Sequence, residues 1–101
     1  MTNEKLVRDK IPDIIKRDGG SPKIREVSGM ELDQLIRLKI VEEATELLES
    51  GENEEIVDLF EILDALVSHR GLDSELLKKM RLDKAHKRGT FKRGFVLAID
   101  E

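Results

Sequence analysis

Two segments decide the fold of this chain: residues 29–49, GMELDQLIRLKIVEEATELLE, and residues 53–69, NEEIVDLFEILDALVSH. In both, apolar residues recur at the spacing that places them on one face of an α-helix. The break between them, Ser50-Gly51, ends the first helix because glycine readily adopts the left-handed conformation that follows many helices. Ser28 and Glu31 have the spacing of a capping box and predict where the first helix begins. The sequence therefore predicts a helical hairpin.

Shorter elements are predicted on both sides of the hairpin. A short helix is expected around residues 9–18, ended by Gly19-Gly20, and a further helix over residues 74–87. Two strand-like stretches, residues 22–27 and 95–99, indicate extended segments near the termini that would be able to pair. The predicted fold class is all-α, with a little extended structure.

The length of 101 residues indicates a single domain, residues 1–101, near the size at which one hydrophobic core becomes sufficient. The predicted helix over residues 53–69 is apolar on more of its surface than one neighbouring helix can cover. We therefore expect the hairpin to dimerise into a four-helix-bundle core, with the helix over residues 74–87 packed outside. A homodimer is the expected assembly, and a tetramer is the larger alternative.

The composition argues against several classes of protein. Aromatic residues make up 3% of the chain, Tyr and Trp are absent, and the net charge is −4, so binding to nucleic acid or to an anionic membrane is not expected. The absence of Cys excludes disulfides and thiolate metal sites. No apolar run has the length of a signal peptide core or a membrane span, and a cytoplasmic location is expected.

Two acidic residues in the second half of the first predicted hairpin helix lie on or beside its apolar face. On a helical wheel, Glu43 falls between the directions of Leu32 and Ile36, and Lys39 and Glu46 border the same arc. A carboxylate that faces the core needs a partner or a cation. We therefore expect Glu43 and Glu46 to take part in a buried polar site.

The second hairpin helix carries acids at every third position, which drift around a helix of 3.6 residues per turn. Glu55 and Asp58 fall on or beside the apolar arc, whereas Glu61 and Asp64 point to the far side. The inward set of the hairpin is therefore predicted as metal ligands: Glu43, Glu46, Glu55 and Asp58. Two carboxylates at i and i+3 from each helix suit Mg²⁺, with Mn²⁺ as the alternative. The competing interpretation, that these acids are simply solvated, stays open.

The acidic signatures, Glu42-Glu43-Ala-Thr-Glu46 and Glu55-Ile-Val-Asp58, resemble those of the MazG-like all-α nucleoside triphosphate pyrophosphohydrolases. The opening, Lys5-Leu-Val-Arg-Asp-Lys-Ile-Pro-Asp-Ile-Ile15, is similar to that of a small subgroup related to phosphoribosyl-ATP pyrophosphohydrolase. The stretch Lys84-Ala-His-Lys-Arg-Gly-Thr-Phe91 is similar to the close of that subgroup. Together these segments cover nearly the whole chain.

The resemblance implies a Mg²⁺-dependent enzyme that hydrolyses a nucleoside triphosphate to a monophosphate and pyrophosphate. Glu42 and Glu43 are then the catalytic candidates, with Glu42 as an accessory ligand or as the base for the attacking water. Only eight residues separate Glu46 from Glu55, fewer than is usual in the family. The usual spacing would select Glu61 and Asp64 as the second pair of ligands.

Basic residues near both ends of the chain are the candidates for binding the triphosphate: Arg8, Lys39, Lys84 and Arg88. For Lys39, an ion pair with Glu42 or Glu43 is the alternative. Two other classes of function remain open. One is a nucleotide-binding or regulatory relative with little turnover, and the other is a structural helical dimer whose acids are solvated.

Overall fold

The computed structural model describes residues 3–100, which form four α-helices: α1 (Ile11–Arg17), α2 (Gly29–Ser50), α3 (Asn53–His69) and α4 (Ser74–Arg88). No β-strand occurs within residues 3–100. The predicted all-α class is therefore confirmed. The predicted bounds of α3 are those observed, and each of the other helices differs from its predicted bounds by no more than two residues at either end.

The described chain forms two units, one ending at Arg70 and one beginning at Gly71. In the first unit, α2 and α3 pack against each other as the predicted hairpin. The second unit contains α4, whose first turn is capped by Asp73. The Asp73 carboxylate accepts hydrogen bonds from the backbone N–H groups of Glu75 and Leu76 at 2.9 and 3.3 Å. This contact supplies partners for two of the N–H groups that the start of a helix leaves free.

A two-residue connection, Gly51-Glu52, joins α2 to α3. Gly51 has a φ of 66°, and its N–H donates to the carbonyl of Leu47 at 2.8 Å. The N–H of Glu52 donates to Ser50 Oγ at 3.1 Å. Because the connection is short, the last turns of α2 lie beside the first turns of α3.

Polar contacts fasten the other end of the hairpin. Arg70, just after α3, donates from Nε and Nη2 to the carboxylate of Asp33 on α2 at 2.8 and 3.0 Å. Arg37 donates to the same carboxylate at 3.0 Å, and His69 Nε2 lies 3.1 Å from the carbonyl oxygen of Gly29. The hydrogen bond from Arg70 is the main cause that lowers the pKa of Asp33 to about 2. The partly buried carboxylate of Asp33 at this end of the hairpin is therefore well supplied with partners.

Two local features differ in part from their predictions. Ser28 is the N-cap of α2, as predicted, but its side chain makes no cap hydrogen bond, and Glu31 instead accepts from Arg25 at 2.7 Å. Arg25 also binds Glu4 at 2.8 Å, and charge-assisted hydrogen bonds of this kind are stronger than the neutral bonds of a capping box. The stretches 22–27 and 95–99, predicted as extended segments able to pair, contain no β-strand, so the predicted pairing does not form.

The packing of the hairpin buries little apolar surface. Ile36, 2% exposed, is the one buried apolar side chain among residues 3–100. On α3, Val57 and Phe60 are 61% and 66% exposed, and Leu38 and Val41 of α2 are similarly open. The outer faces of the hairpin therefore keep a substantial apolar surface in contact with solvent.

None of the described helices is both long and apolar enough to span a membrane.

Candidate metal centre

Glu43 is the one buried charged side chain among the described residues, at 6% exposure. It lies two turns after Ile36 on the face of α2 that packs against α3, as the helical wheel predicts. Burial, followed by the negative charge of Glu46, raises the pKa of the Glu43 carboxyl above its ordinary value. Lys39 Nζ lies 3.4 Å from Glu43 Oε1 and opposes this shift.

The second oxygen of Glu43 lacks a partner. Oε2 is buried and has no hydrogen-bond partner among the described residues. Leaving a buried polar atom unsatisfied costs roughly 1–3 kcal/mol, and more where the group carries a charge. A cation bound beside Glu43 would supply this oxygen with a partner.

Three carboxylates converge at this position. Glu43, Glu55 and Asp58 each offer an oxygen, and these three oxygens lie within 4.8 Å of one another. Two oxygens bound to the same Mg²⁺ can be no more than about 4.2 Å apart, twice the metal–oxygen distance of about 2.1 Å. Small side-chain movements would therefore be enough for all three to bind one ion. Glu55 and Asp58 are only partly buried, which leaves room for such movement.

The fourth predicted ligand, Glu46, is not part of this group of oxygens. It is partly buried one turn after Glu43, and it lies close enough for its charge to raise the pKa of Glu43. Glu61 and Asp64 are both exposed and contribute no oxygen to the group. The structure thus brings together three of the four predicted ligands and neither member of the alternative pair.

Three basic side chains border the carboxylates. The Nζ atom of Lys39 contacts two carboxylates, at 3.3 Å from Glu42 Oε2 and 3.4 Å from Glu43 Oε1. Lys5 Nζ donates to Glu42 Oε1 at 2.8 Å. The hydrogen bond from Lys5, together with Lys39, lowers the pKa of Glu42. Glu42 therefore remains ionised at neutral pH.

Arg8 is the third of these basic side chains. Its Nη2 donates to Asp58 Oδ1 at 2.8 Å, and its Nη1 lies 4.0 Å from Glu61 Oε1. Arg8 was predicted to bind phosphate, but the contact of Lys5 with Glu42 was not predicted. The sequence feature that could have indicated the contact of Lys5 is the pair of basic residues near the start of the chain, Lys5 and Arg8, three positions apart.

Comparison with protein-family models finds none that matches this chain, and comparisons with curated proteins and with solved structures find no match either. The resemblance to the MazG-like family therefore stays a prediction that rests on the quoted motifs. The remaining predicted substrate-binding residues, Lys84 and Arg88, are exposed on α4 in the second unit. Neither forms an ion pair with another described residue, and their proposed role stays a prediction.

The cavity that lies beside the carboxylates, among the described residues of the first unit, is small. A cleft of about 60 Å³ lies beside them, lined in part by Lys5, Lys39 and Glu42. A larger cavity of about 490 Å³ lies at the opposite end of the hairpin, around Asp33 and Arg70, and is open to solvent. Ligand pockets typically have volumes of roughly 300–1,000 Å³, so the cleft at the carboxylates is too small for a nucleotide.

Proposed function

We propose that this chain is a Mg²⁺-dependent nucleoside triphosphate pyrophosphohydrolase that releases a nucleoside monophosphate and pyrophosphate. The observation that carries the proposal is the buried, unpartnered oxygen of Glu43 beside the carboxylates of Glu55 and Asp58. The motifs that resemble the MazG-like family supply the reaction class. A role in removing unwanted nucleotides from the cytoplasmic pool is consistent with this chemistry.

The proposed chemistry depends on charge. When bound, Mg²⁺ neutralises the phosphates and lowers the pKa of a coordinated water. Glu43, Glu55 and Asp58 would hold the ion, and Glu46, on the next turn of α2, would be the candidate for a fourth ligand. Glu42 is the candidate base because it is ionised and borders the site, although its two lysine partners weaken its basicity.

Lys39 has two roles in the proposal. It is fixed between Glu42 and Glu43, so it limits the repulsion between neighbouring carboxylates in the metal-free protein. It also remains close enough to the site to contact a phosphate of the substrate. Arg8, Lys84 and Arg88 are proposed as further phosphate ligands because a guanidinium or ammonium group compensates the charge of a triphosphate.

We propose that the active form is a homodimer, or a tetramer built from such dimers. The exposed apolar side chains of α2 and α3 support this assembly, since a second hairpin would cover them. The small cleft at the carboxylates supports it too, because a nucleotide pocket needs further walls. Light scattering tests the assembly. Phe60→Lys should yield a monomer, whereas Lys78→Ala on the exposed surface of α4 should leave the assembly unchanged.

The decisive experiment measures pyrophosphate release from a panel of canonical and modified nucleoside triphosphates with and without Mg²⁺. We expect Mg²⁺-dependent release, at least a hundredfold slower in Glu43→Gln. Glu49→Gln, an exposed acid on the same helix, is the matched control and should keep the wild-type rate. The panel ranked by kcat/KM identifies the preferred base and sugar.

The alternative functions are distinguished by pyrophosphate release together with thermal stability in the presence of metal and nucleotide. A nucleotide-binding relative would be stabilised by Mg²⁺ and nucleotide together but would release no pyrophosphate. In a structural helical dimer, neither Mg²⁺ nor Mn²⁺ would change the thermal stability. Either result would overturn the proposed enzyme activity.

A further inference from the structure

The segment before α1 bridges the acidic end of the hairpin. Lys5 contacts Glu42 on α2, and three residues later Arg8 contacts Asp58 on α3, both at 2.8 Å. Residues 3–8 of this segment have no regular secondary structure. Two ion pairs of this segment therefore reach the carboxylates, and a third, between Glu4 and Arg25, binds it elsewhere in the first unit.

The charges at this end of the hairpin do not balance. Five carboxylates lie together here, namely those of Glu42, Glu43, Glu46, Glu55 and Asp58. Three basic side chains, Lys5, Arg8 and Lys39, contact them. Five negative and three positive charges leave an excess of two negative charges, and Glu61, 4.0 Å from Arg8 Nη1, adds a third, so the net charge at this end of the hairpin favours a divalent cation.

The three basic residues differ in how firmly they are held. Lys39 lies on α2 and its side chain is only 23% exposed, so the surrounding helix keeps it in place. The side chain of Arg8 is 55% exposed and is fixed by the contact with Asp58 and the longer approach to Glu61. An exposed ion pair of this kind is weak and breaks at little cost.

Arg8 and a metal ion need the same carboxylate. Arg8 Nη2 occupies Oδ1 of Asp58, which is one of the three residues that converge on the candidate metal position. A cation at this position weakens the hold of the carboxylate on the guanidinium and repels the guanidinium directly. The contact of Lys5 differs, since Glu42 is not one of the three converging residues.

We infer that Arg8 is an exchangeable counter-ion, which pairs with Asp58 in the metal-free protein and moves to a phosphate of the substrate when a divalent cation takes that carboxylate. This inference rests on the proposed function and specifies how its site is regulated. Arg8 then opposes metal binding before substrate arrives and favours the complex of metal and triphosphate. Nucleotide would promote the binding of metal because it offers Arg8 a second anion.

The test titrates the full-length protein with Mn²⁺ alone and counts the free ion by electron paramagnetic resonance. Arg8→Gln should bind Mn²⁺ about twofold to fivefold more tightly than wild type, the range that corresponds to an exposed ion pair. Lys5→Gln is the matched control, because it removes one positive charge from the same segment but frees no converging carboxylate. Its affinity for Mn²⁺ should change less than that of Arg8→Gln.

A second measurement examines the substrate side of the exchange. Arg8→Gln should raise the KM for a nucleoside triphosphate at saturating Mg²⁺, although it binds the metal more tightly. Such opposite changes would not arise if Arg8 only stabilised the fold. In that case Arg8→Gln would lower the thermal stability and leave the affinity for Mn²⁺ unchanged.

The inference fails if the affinity of Arg8→Gln for Mn²⁺ equals that of Lys5→Gln or falls below that of wild type. The proposed function would still stand in that case if the wild-type protein binds Mn²⁺ and releases pyrophosphate. If wild-type protein binds no Mn²⁺, both the inference and the proposed metal site are wrong. Nuclear magnetic resonance of the Arg8 side chain gives an independent check. Addition of Mg²⁺ should shift the Nε–H signal of Arg8 in wild-type protein but not in Asp58→Asn.

Discussion

Replacing Glu43 by Gln should stabilise the metal-free protein at neutral pH, which is the opposite of what most substitutions at a buried position do. Glu43 is 6% exposed, and its Oε2 has no partner among the described residues. Gln has nearly the same volume and no charge, so it keeps the packing and removes the cost of a buried unpaired carboxylate. The loss of the contact with Lys39 at 3.4 Å offsets part of the gain.

The size of the effect follows from these terms. An unsatisfied buried polar group costs roughly 1–3 kcal/mol, and the amide of Gln recovers only part of this because it also lacks a full set of partners. We expect a net gain of about 1 kcal/mol, which for a domain of this size raises Tm by about 4–8 °C. Unfolding in the presence of a chelator, followed by circular dichroism, measures it.

Metal should reverse the order of stability. At a Mg²⁺ concentration of about 100 times Kd, a native-state site adds about 2.7 kcal/mol to the free energy of unfolding of wild type. Glu43→Gln should gain little of this, so the wild type becomes the more stable protein. The control Glu49→Gln, exposed on α2, should follow the wild type under both conditions. The reasoning is refuted if Glu43→Gln is less stable than wild type without metal, or if Mg²⁺ stabilises both proteins equally.

The pH dependence of the metal-free protein has a defined sign. Because the pKa of Glu43 is raised in the folded state, the folded protein binds a proton more readily than the unfolded chain does. The contribution of this group to stability is therefore fully present below its ordinary pKa of 4.5 and is lost as the pH rises through the raised value. In Glu43→Gln this part of the pH dependence should be absent.

Three further predictions concern the ligands and the two ends of the hairpin. Asp58→Asn should weaken Mn²⁺ binding at least tenfold while Asp64→Asn leaves it unchanged, and equal effects of the two would show that the inward group is misassigned. The ¹³C carboxyl signal of Asp33 should titrate with a pKa of about 2, and in Arg70→Gln its midpoint should rise towards 3.8; a midpoint that stays put would contradict the assigned cause. Gly51→Ala should destabilise the protein by about 1 kcal/mol in urea unfolding because of its left-handed backbone, and a neutral effect would mean that the connection relaxes easily.

The hairpin was predictable because its boundaries are set by nearby residues. Gly51 ends α2 in the left-handed conformation, and α3 spans the predicted residues 53–69. The absence of the capping-box hydrogen bonds at Ser28 was not predictable in this way. Glu31 is bound instead by Arg25, which also binds Glu4, and the position of Glu4 depends on the path of a distant segment.

The candidate site shows the same division between local and distant causes. Helical periodicity alone gives the inward direction of Glu43 on α2 and the outward direction of Glu61 on α3, because each direction follows from the position of the residue along its own helix. It does not give the position of a side chain at the edge of the arc, and Glu46 lies outside the converging group. The contacts of Lys5 and Arg8 depend on how the first residues of the chain cross the hairpin, which no periodicity records.

The two ends of the hairpin use similar residues to opposite effect. Asp33 has a side chain that is 14% exposed and receives hydrogen bonds from both Arg37 and Arg70, so its pKa is lowered to about 2. Glu43 has a side chain that is 8% exposed and has one lysine contact, and its pKa is raised. Burial therefore does not by itself leave a carboxylate unsatisfied in this fold, since the sequence supplies two arginines where a structural ion pair is needed. The shortage of positive charge at Glu43 is specific to its end of the hairpin, as the proposed cation site requires, whereas the ion pairs of Asp33 only join the two helices.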